Sequence, residues 1–232
     1  MLMYVHNRFS PLELVIFVVF AIVCAVAAAR QRDAVRKRSF GLQVLSTKLG
    51  FADFNPGPDS GFIEGWCFLN RFSQGENRYA FNVLQGVYQE QKLFIFDYHY
   101  RTGSGKDAHD HYYTIFMLVV KEVFPGITVG PENLVTKIEG IFDSENIKFE
   151  SAEFSKAFRV RSPDKKFAYD VCNPQMIEFL LANRGLQFEI NGPAILLAFN
   201  PQLPVDQIES NLQRLARIRA LLPQYLFEQT SQ

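Results

Sequence analysis

Three consecutive runs rich in aromatic and β-branched residues set the architecture of this chain: RYAFNVLQG at 78–86, KLFIFDYHYR at 92–101 and HYYTIFMLVVK at 111–121. The linkers between them are polar and contain glycine, which is typical of an antiparallel meander. The third run is apolar on both faces, so we expect a central strand that is covered on both sides. The pattern predicts an α+β fold around a central antiparallel β-meander.

The middle run divides its side chains between two faces, because successive residues of a strand point in opposite directions. One face carries Phe94, Phe96, Tyr98 and Tyr100, and the other carries Leu93, Ile95, Asp97 and His99. Asp97 is the residue least expected among these apolar neighbours. A buried carboxylate at this position would need a partner such as Arg101 or a backbone donor.

An apolar run, LVIFVVFAIVCAVAAA, precedes the sheet region and covers sixteen residues at 14–29 without a charge. The sequence Ser10-Pro11-Leu12-Glu13 just before it has the form of a capping-box start. At about 1.5 Å per residue, a helix over 12–29 would extend roughly 27 Å, close to a hydrocarbon core of about 30 Å. The sequence predicts a transmembrane helix at 12–29 after a short extracytoplasmic N-terminus at 1–11.

Basic residues follow the apolar run at once, namely Arg30, Arg32, Arg36, Lys37 and Arg38. A lone Asp33 opposes them, and the preceding flank carries only Arg8. The positive-inside rule then predicts a single-pass protein of the cell inner membrane, with its N-terminus outside and its main domain in the cytoplasm. Binding of anionic lipid is a second role for the same residues, beside the simpler one of setting topology.

A cleaved signal peptide is the alternative interpretation of the N-terminal segment. The small residues at 25–29 resemble signal-peptidase sites. The start of the chain is only weakly basic, however, and five positive charges directly after the apolar run oppose export. These features favour a retained anchor.

The remaining chain divides into a basic juxtamembrane helix and linker at 30–61, a cytoplasmic α+β domain at 62–222 and a tail at 223–232. The boundary at 61 follows from a cluster of turn residues, NPGPDSG at 55–61. Within the domain, helix-start signals near 131, 151, 162 and 173 predict short covering helices, and 147–150 and 158–161 predict short strands. Asn191-Gly192 predicts a hairpin over 186–199.

The C-terminal part of the domain has the pattern of an amphipathic helix that begins near Pro204. Its apolar side carries Val205, Ile208, Leu212, Leu215, Ile218 and Leu222. Acidic residues lie near its start and arginines near its end, as the helix dipole favours. We expect this helix to cover one face of the sheet.

Histidines cluster around the linker between the second and third runs, where Asp97, His99, His109 and His111 could supply a four-ligand site. Nitrogen and oxygen ligands of this kind suit zinc or a similar divalent metal. The site forms only if His99 and His111 share a face, which requires the numbers of opposed residues to sum to an even value. The alternative is a solvated hairpin tip whose glycines supply positive φ.

Composition narrows the function classes. Formal net charge is zero and charged residues make up 21%, so no electrostatic bias indicates a nucleic-acid partner. The three cysteines, Cys24, Cys67 and Cys172, form no CxxC pair, and Cys24 lies in the apolar run, which leaves at most one disulfide and favours a reducing compartment. No catalytic triad, nucleophile elbow or complete phosphate loop is visible, and no cofactor is predicted beyond the divalent-metal alternative.

Several short motifs resemble a family of uncharacterised bacterial single-pass membrane proteins. The matching segments are NVLQG at 82–86, FIFDY at 94–98, Pro131-Glu132, Phe149-Glu150, EFSKAF at 153–158, Asp170-Val171 and NPQM at 173–176. The resemblance covers roughly residues 45 to 220. The resemblance implies a membrane-anchored domain. The family has no assigned activity, so no catalytic residues are carried over.

These observations favour a non-catalytic interaction or scaffold module held at the inner membrane, with a membrane or cytoplasmic protein as its partner. One alternative is a metal-dependent enzyme or metal sensor that uses the histidine cluster. Another is a module that binds anionic lipid surfaces through residues 30–38. The three classes differ in metal content, lipid dependence and partner recovery.

Overall fold

The computed structural model describes residues 11–132 and 146–228. The chain forms two compact units, Met1–Gly41 and Leu42–Gln232. Helix α1 begins at Pro11, ends at Lys48 and crosses the boundary between them. From residue 12 to residue 37 its side chains are exposed. This helix is long and apolar enough to cross a membrane.

The second unit is an antiparallel sheet with short helices, which confirms the predicted α+β class. Its strands are β1 (Asp53–Asn55), β2 (Glu76–Tyr88), β3 (Gln91–Thr102), β4 (His109–Pro131), β5 (Phe158–Arg161) and β6 (Phe188–Phe199). Its other α-helices are α2 (Ser60–Glu64), α3 (Ala152–Ala157), α4 (Lys165–Val171), α5 (Pro174–Ala182) and α6 (Ile208–Leu221). Four 3-10 helices are also described, at Asn70–Phe72, Gly105–Asp107, Val205–Gln207 and Gln224–Phe227.

Strand β4 is the central strand, as its two-sided apolar pattern predicts. It contains 23 residues and pairs with β3 along its first half and with β5 from Thr128 to Pro131. Strand β6 pairs with β4 along most of this length on the other edge. Strands β2, β3 and β4 therefore form the predicted meander, and β1 extends the sheet beyond β2.

Apolar side chains fill both faces of the sheet. On one face, Leu93 and Ile95 belong to a core that also includes residues of α4, α5 and α6. On the other face, Phe94 and Phe96 pack with Ile63 of α2 and with residues around the 3-10 helix at Asn70–Phe72. The alternation predicted for β3 is thereby confirmed.

The predicted caps at Ser151 and Asn173 and the amphipathic helix are also confirmed, whereas the helix expected to start at Ser162 is capped by Asp164. Ser151, Asp164 and Asn173 each accept a hydrogen bond from the backbone N–H three residues later, at the starts of α3, α4 and α5. The apolar side of α6 is buried, with Ile208, Leu212, Leu215 and Ile218 in the core.

Three local predictions differ from the structure. The predicted hairpin at 186–199 is one continuous strand, β6, because Gly192 (φ 54°) accommodates a shift in its pairing with β4. No strand forms at 147–150. Gly130 and Pro131 end β4, and the rest of the helix predicted to begin there lies outside the described residues.

The compact domain begins earlier than the predicted boundary at 62. Leu42 and Leu45, at the end of α1, are buried in the core that α6 lines. Strand β1 lies inside the segment predicted as linker and pairs with β2. Turn residues therefore occur within this domain, after its first strand.

Candidate functional site

The register between β3 and β4 decides how the predicted histidine site is arranged. Tyr100 lies opposite His111, and His99 lies opposite Tyr112. Paired residue numbers sum to an odd value, so His99 and His111 project from opposite faces. The register thus does not bring the four predicted ligands together. Among residues 11–132 and 146–228, no group of three or more His, Cys, Asp or Glu side chains could hold a metal ion.

Asp97 is buried and satisfied by neighbouring strands. Its carboxylate accepts hydrogen bonds from Asn82 Nδ2 at 2.9 Å and from Thr114 Oγ1 at 3.4 Å. Arg101, the partner expected from the sequence, instead binds Asp110. Hydrogen bonds from an amide and a hydroxyl therefore stabilise this buried carboxylate.

His99 forms a closed polar cluster with Asp110 and Arg101 at the same end of the sheet. Its Nδ1 lies 3.0 Å from the carbonyl oxygen of Asn77, and its Nε2 lies 2.9 Å from Asp110 Oδ1. Both ring nitrogens of His99 are therefore engaged, one beside a backbone carbonyl and the other beside a carboxylate. Tyr79 stacks on the ring at 4.6 Å.

Arg101 completes this cluster through a two-point contact. Its Nε donates to Asp110 Oδ1 at 2.8 Å and its Nη2 donates to Oδ2 at 3.1 Å. These bonds, followed by the bond from His99, lower the pKa of Asp110 to about 2. Asp110 is therefore a carboxylate at neutral pH, and both of its oxygens are engaged.

A cleft of about 660 Å³ opens beside the face of the sheet that carries Tyr100, opposite to the face that carries His99. Its lining includes Arg71, Ser73, Gln74, Gly75, Tyr100, Thr102, Gly103, His111, Tyr113, Gly185, Gln187, Ala198, Phe199 and Asn200. The volume lies in the range of ligand sites, about 300–1,000 Å³. Of the predicted metal ligands, His111 alone lines it.

Arg71 is the charged side chain in this cleft. It belongs to the 3-10 helix at Asn70–Phe72 and is 4% exposed. Its guanidinium lies 4.9 Å from the centre of the Tyr113 ring, a cation–π contact. The part of the chain that the structure describes offers this guanidinium no hydrogen bond or ion pair.

Glu189 of β6 holds that 3-10 helix in place. Its carboxylate accepts from the backbone N–H groups of Asn70, at 2.6 Å, and Arg71, at 3.2 Å, and from Asn70 Nδ2 at 3.1 Å. Burial raises the pKa of Glu189, against the lowering effect of these hydrogen bonds. The carboxylate thus satisfies the free N–H groups at the start of the helix that carries Arg71.

Aromatic rings form the wall of the cleft next to β3 and β4. Tyr100 stacks on His111 with 4.6 Å between ring centres and on Tyr113 with 5.9 Å. Burial, followed by the hydrogen bond with Tyr113, raises the pKa of Tyr100. The amide nitrogens of Gln74 and Gln187 are buried in the same region, with no hydrogen-bond partner among residues 11–132 and 146–228.

Sequence reasoning did not find Arg71, Gln74, Gln187 or Glu189, because no motif or spacing connects them. One signal was present: Glu189 stands between apolar residues in the strand FEINGPAILLAF, as Asp97 does in its own strand. A charged residue in such a run indicates a buried polar contact. The same argument that singled out Asp97 would have singled out Glu189.

The basic residues predicted to set membrane topology all lie on α1. Arg30, Arg32, Arg36 and Lys37 are exposed, and Arg38 is half-buried. They directly follow the exposed apolar segment of the same helix. The positive-inside rule applies to basic residues that flank an apolar segment in this way.

Comparison with known proteins identifies a similar fold but no similar sequence. No protein-family model matches the chain, and no curated protein sequence matches it. A crystal structure of the mycobacterial trehalose monomycolate transport factor A, TtfA, is similar with a TM-score of 0.58 and 16% sequence identity. The match covers 81% of this chain and 97% of that one. The chain therefore has the fold of that transport factor's crystal structure over most of its length.

Proposed function

We propose that this chain is a single-pass protein of a bacterial inner membrane, and that its sheet domain is a non-catalytic interaction module in the cytoplasm. Helix α1 carries the proposal. It presents an uncharged apolar segment with exposed side chains and ends among core residues of the domain. Exposed apolar side chains along such a length require a membrane or a partner surface.

The proposed orientation follows from the charges beside the apolar segment. Five basic residues between 30 and 38 stand on the domain side, and one arginine stands before the segment. The positive-inside rule, by which basic flanks stay in the cytoplasm, supports an N-terminus outside. The free cysteines of the chain fit a reducing compartment.

The contacts of the titratable groups support a non-catalytic role. Both ring nitrogens of His99 are engaged, so the ring has no free nitrogen to act as a base. Asp97 is buried in hydrogen bonds between strands. Burial also raises the pKa of Cys172, which keeps the thiol protonated.

The similar fold supports an accessory role in a membrane-associated process. The mycobacterial protein is described as a transport factor for trehalose monomycolate. For this chain we propose the coarser role of an accessory module beside a membrane protein complex, with no cargo carried over.

Crosslinking in cells tests whether the membrane-anchored chain has a specific protein partner. Full-length chain is compared with a Val19→Arg/Ile22→Arg variant, which keeps the domain but places two charges in the apolar segment. We expect a specific partner to crosslink to the wild type and to be lost from the variant, because membrane localisation brings module and partner together. A Val19→Leu/Ile22→Leu variant is the matched control. Equal recovery with all three chains, or recovery with none, would contradict the proposal.

A further inference from the structure

The cleft beside Tyr100 brings together Arg71 and the side-chain amides of Gln74 and Gln187. Arg71 is almost fully buried, and its guanidinium has no hydrogen-bond partner among the described residues. Gln74 Nε2 and Gln187 Nε2 are also buried and have no partner in the part of the chain that the structure describes. All three side chains line the same cleft. A ligand that brings acceptor oxygens into the cleft would supply hydrogen-bond partners to these donors.

The nearby carboxylate of Glu189 does not accept a hydrogen bond from the Arg71 guanidinium. Glu189 accepts hydrogen bonds from the backbone of Asn70 and Arg71 and from the Asn70 side chain. No ion pair joins it to the Arg71 guanidinium within the described residues. Glu189 thus fixes the backbone of Arg71 and leaves the guanidinium directed to other contacts.

We propose that this cleft binds the phosphate group of a small phosphorylated molecule. The planar guanidinium of Arg71 matches two phosphate oxygens, and the amides of Gln74 and Gln187 are donors for the others. The cleft is larger than a phosphate group needs, so the rest of the ligand lies along the stacked rings of Tyr100 and His111.

The positive charge of Arg71 and the neighbouring amide donors favour an anionic ligand over other ligand types. A metal ion needs lone pairs, whereas the unpaired atoms of Arg71, Gln74 and Gln187 are N–H groups. A neutral apolar molecule would leave these groups unsatisfied. A tetrahedral oxyanion has enough acceptor oxygens to engage all three side chains at once.

Calorimetric titration of the full-length protein in nanodiscs tests the proposal, with inorganic phosphate and glycerol 3-phosphate as probes. Ionic strength is matched with sodium chloride. We expect both probes to bind the wild type and to bind Arg71→Met at least about tenfold more weakly, since a charge-assisted two-point contact is lost. Arg219→Met is the matched control, because Arg219 also lies over a ring, that of Phe227, but does not line the cleft.

Two further readouts separate binding from packing. Thermal unfolding of ligand-free Arg71→Met should remain a single cooperative transition, so that its loss of phosphate binding is measured on a folded protein. Gln187→Leu should also weaken phosphate binding while retaining Arg71. Absence of phosphate binding to the wild type, or equal binding to Arg71→Met and Gln187→Leu, would overturn the proposal.

The lipid composition of the nanodiscs identifies the source of the phosphate. If phosphatidylglycerol nanodiscs weaken binding of glycerol 3-phosphate relative to phosphatidylcholine nanodiscs, the cleft takes a lipid headgroup. If lipid composition has no effect, it takes a soluble phosphate ester. Both outcomes support the phosphate site, and failure to bind phosphate leaves the proposed membrane role untouched.

Discussion

Replacement of Glu189 by alanine is expected to lower the free energy of unfolding by about 3–5 kcal/mol, because three N–H donors lose their acceptor. The carboxylate is 3% exposed and accepts three hydrogen bonds. Without it, two backbone N–H groups and one amide lose their acceptor, and each unsatisfied buried group costs about 1–3 kcal/mol. Thermal unfolding of the full-length chain in a mild detergent should show a loss of roughly 6–20 °C in melting temperature.

Two further variants serve as controls for this prediction. Glu189→Gln retains one acceptor oxygen and should lie between wild type and Glu189→Ala. Glu178→Ala removes an exposed glutamate from α5 and should stay within about 0.5 kcal/mol of wild type. A loss below about 1 kcal/mol for Glu189→Ala would mean that the 3-10 helix carrying Arg71 does not depend on this carboxylate.

The Val19→Arg/Ile22→Arg variant is expected to leave the membrane fraction. Both positions lie near the middle of the apolar segment, where each arginine costs about 2.5–3.5 kcal/mol on the insertion scale. Cell fractionation followed by a carbonate wash should recover wild type and the Val19→Leu/Ile22→Leu control in membranes, and the arginine variant in the soluble fraction. Retention of the arginine variant in carbonate-washed membranes would show that α1 is not what attaches the chain.

The sequence predicts the sheet well where its pattern is periodic. The alternation in β3 assigns Phe94 and Ile95 to opposite faces, and the structure places them in different cores. The caps of α3, α4 and α5 follow from local chemistry, since each uses a side chain three residues from its donor. Features of this kind depend on neighbours along the chain.

Register and bends depend on backbone conformation that residue patterns do not specify. The turn between Thr102 and His109 contains the 3-10 helix at Gly105–Asp107, and it sets the odd register that separates His99 from His111. Gly192 adopts the positive φ that a hairpin would use, but within a strand that continues along β4.

The cleft could not be predicted because its parts are distant in sequence. Arg71 and Glu189 are 118 positions apart and meet only when β6 lies beside the 3-10 helix. A buried glutamate in a strand indicates that a partner exists, but not which one. Local periodicity therefore predicts the scaffold, and tertiary folding creates the site.

Thiol labelling with a membrane-impermeant maleimide tests the proposed topology most directly. Cys67 is exposed in the domain, so a chain with Cys24→Ala and Cys172→Ala carries one reporter there. Asn7→Cys in a cysteine-free background reports on the N-terminus. In intact spheroplasts we expect labelling of the N-terminal cysteine and protection of Cys67, which should react only after lysis. Labelling of Cys67 in intact spheroplasts would contradict a cytoplasmic domain.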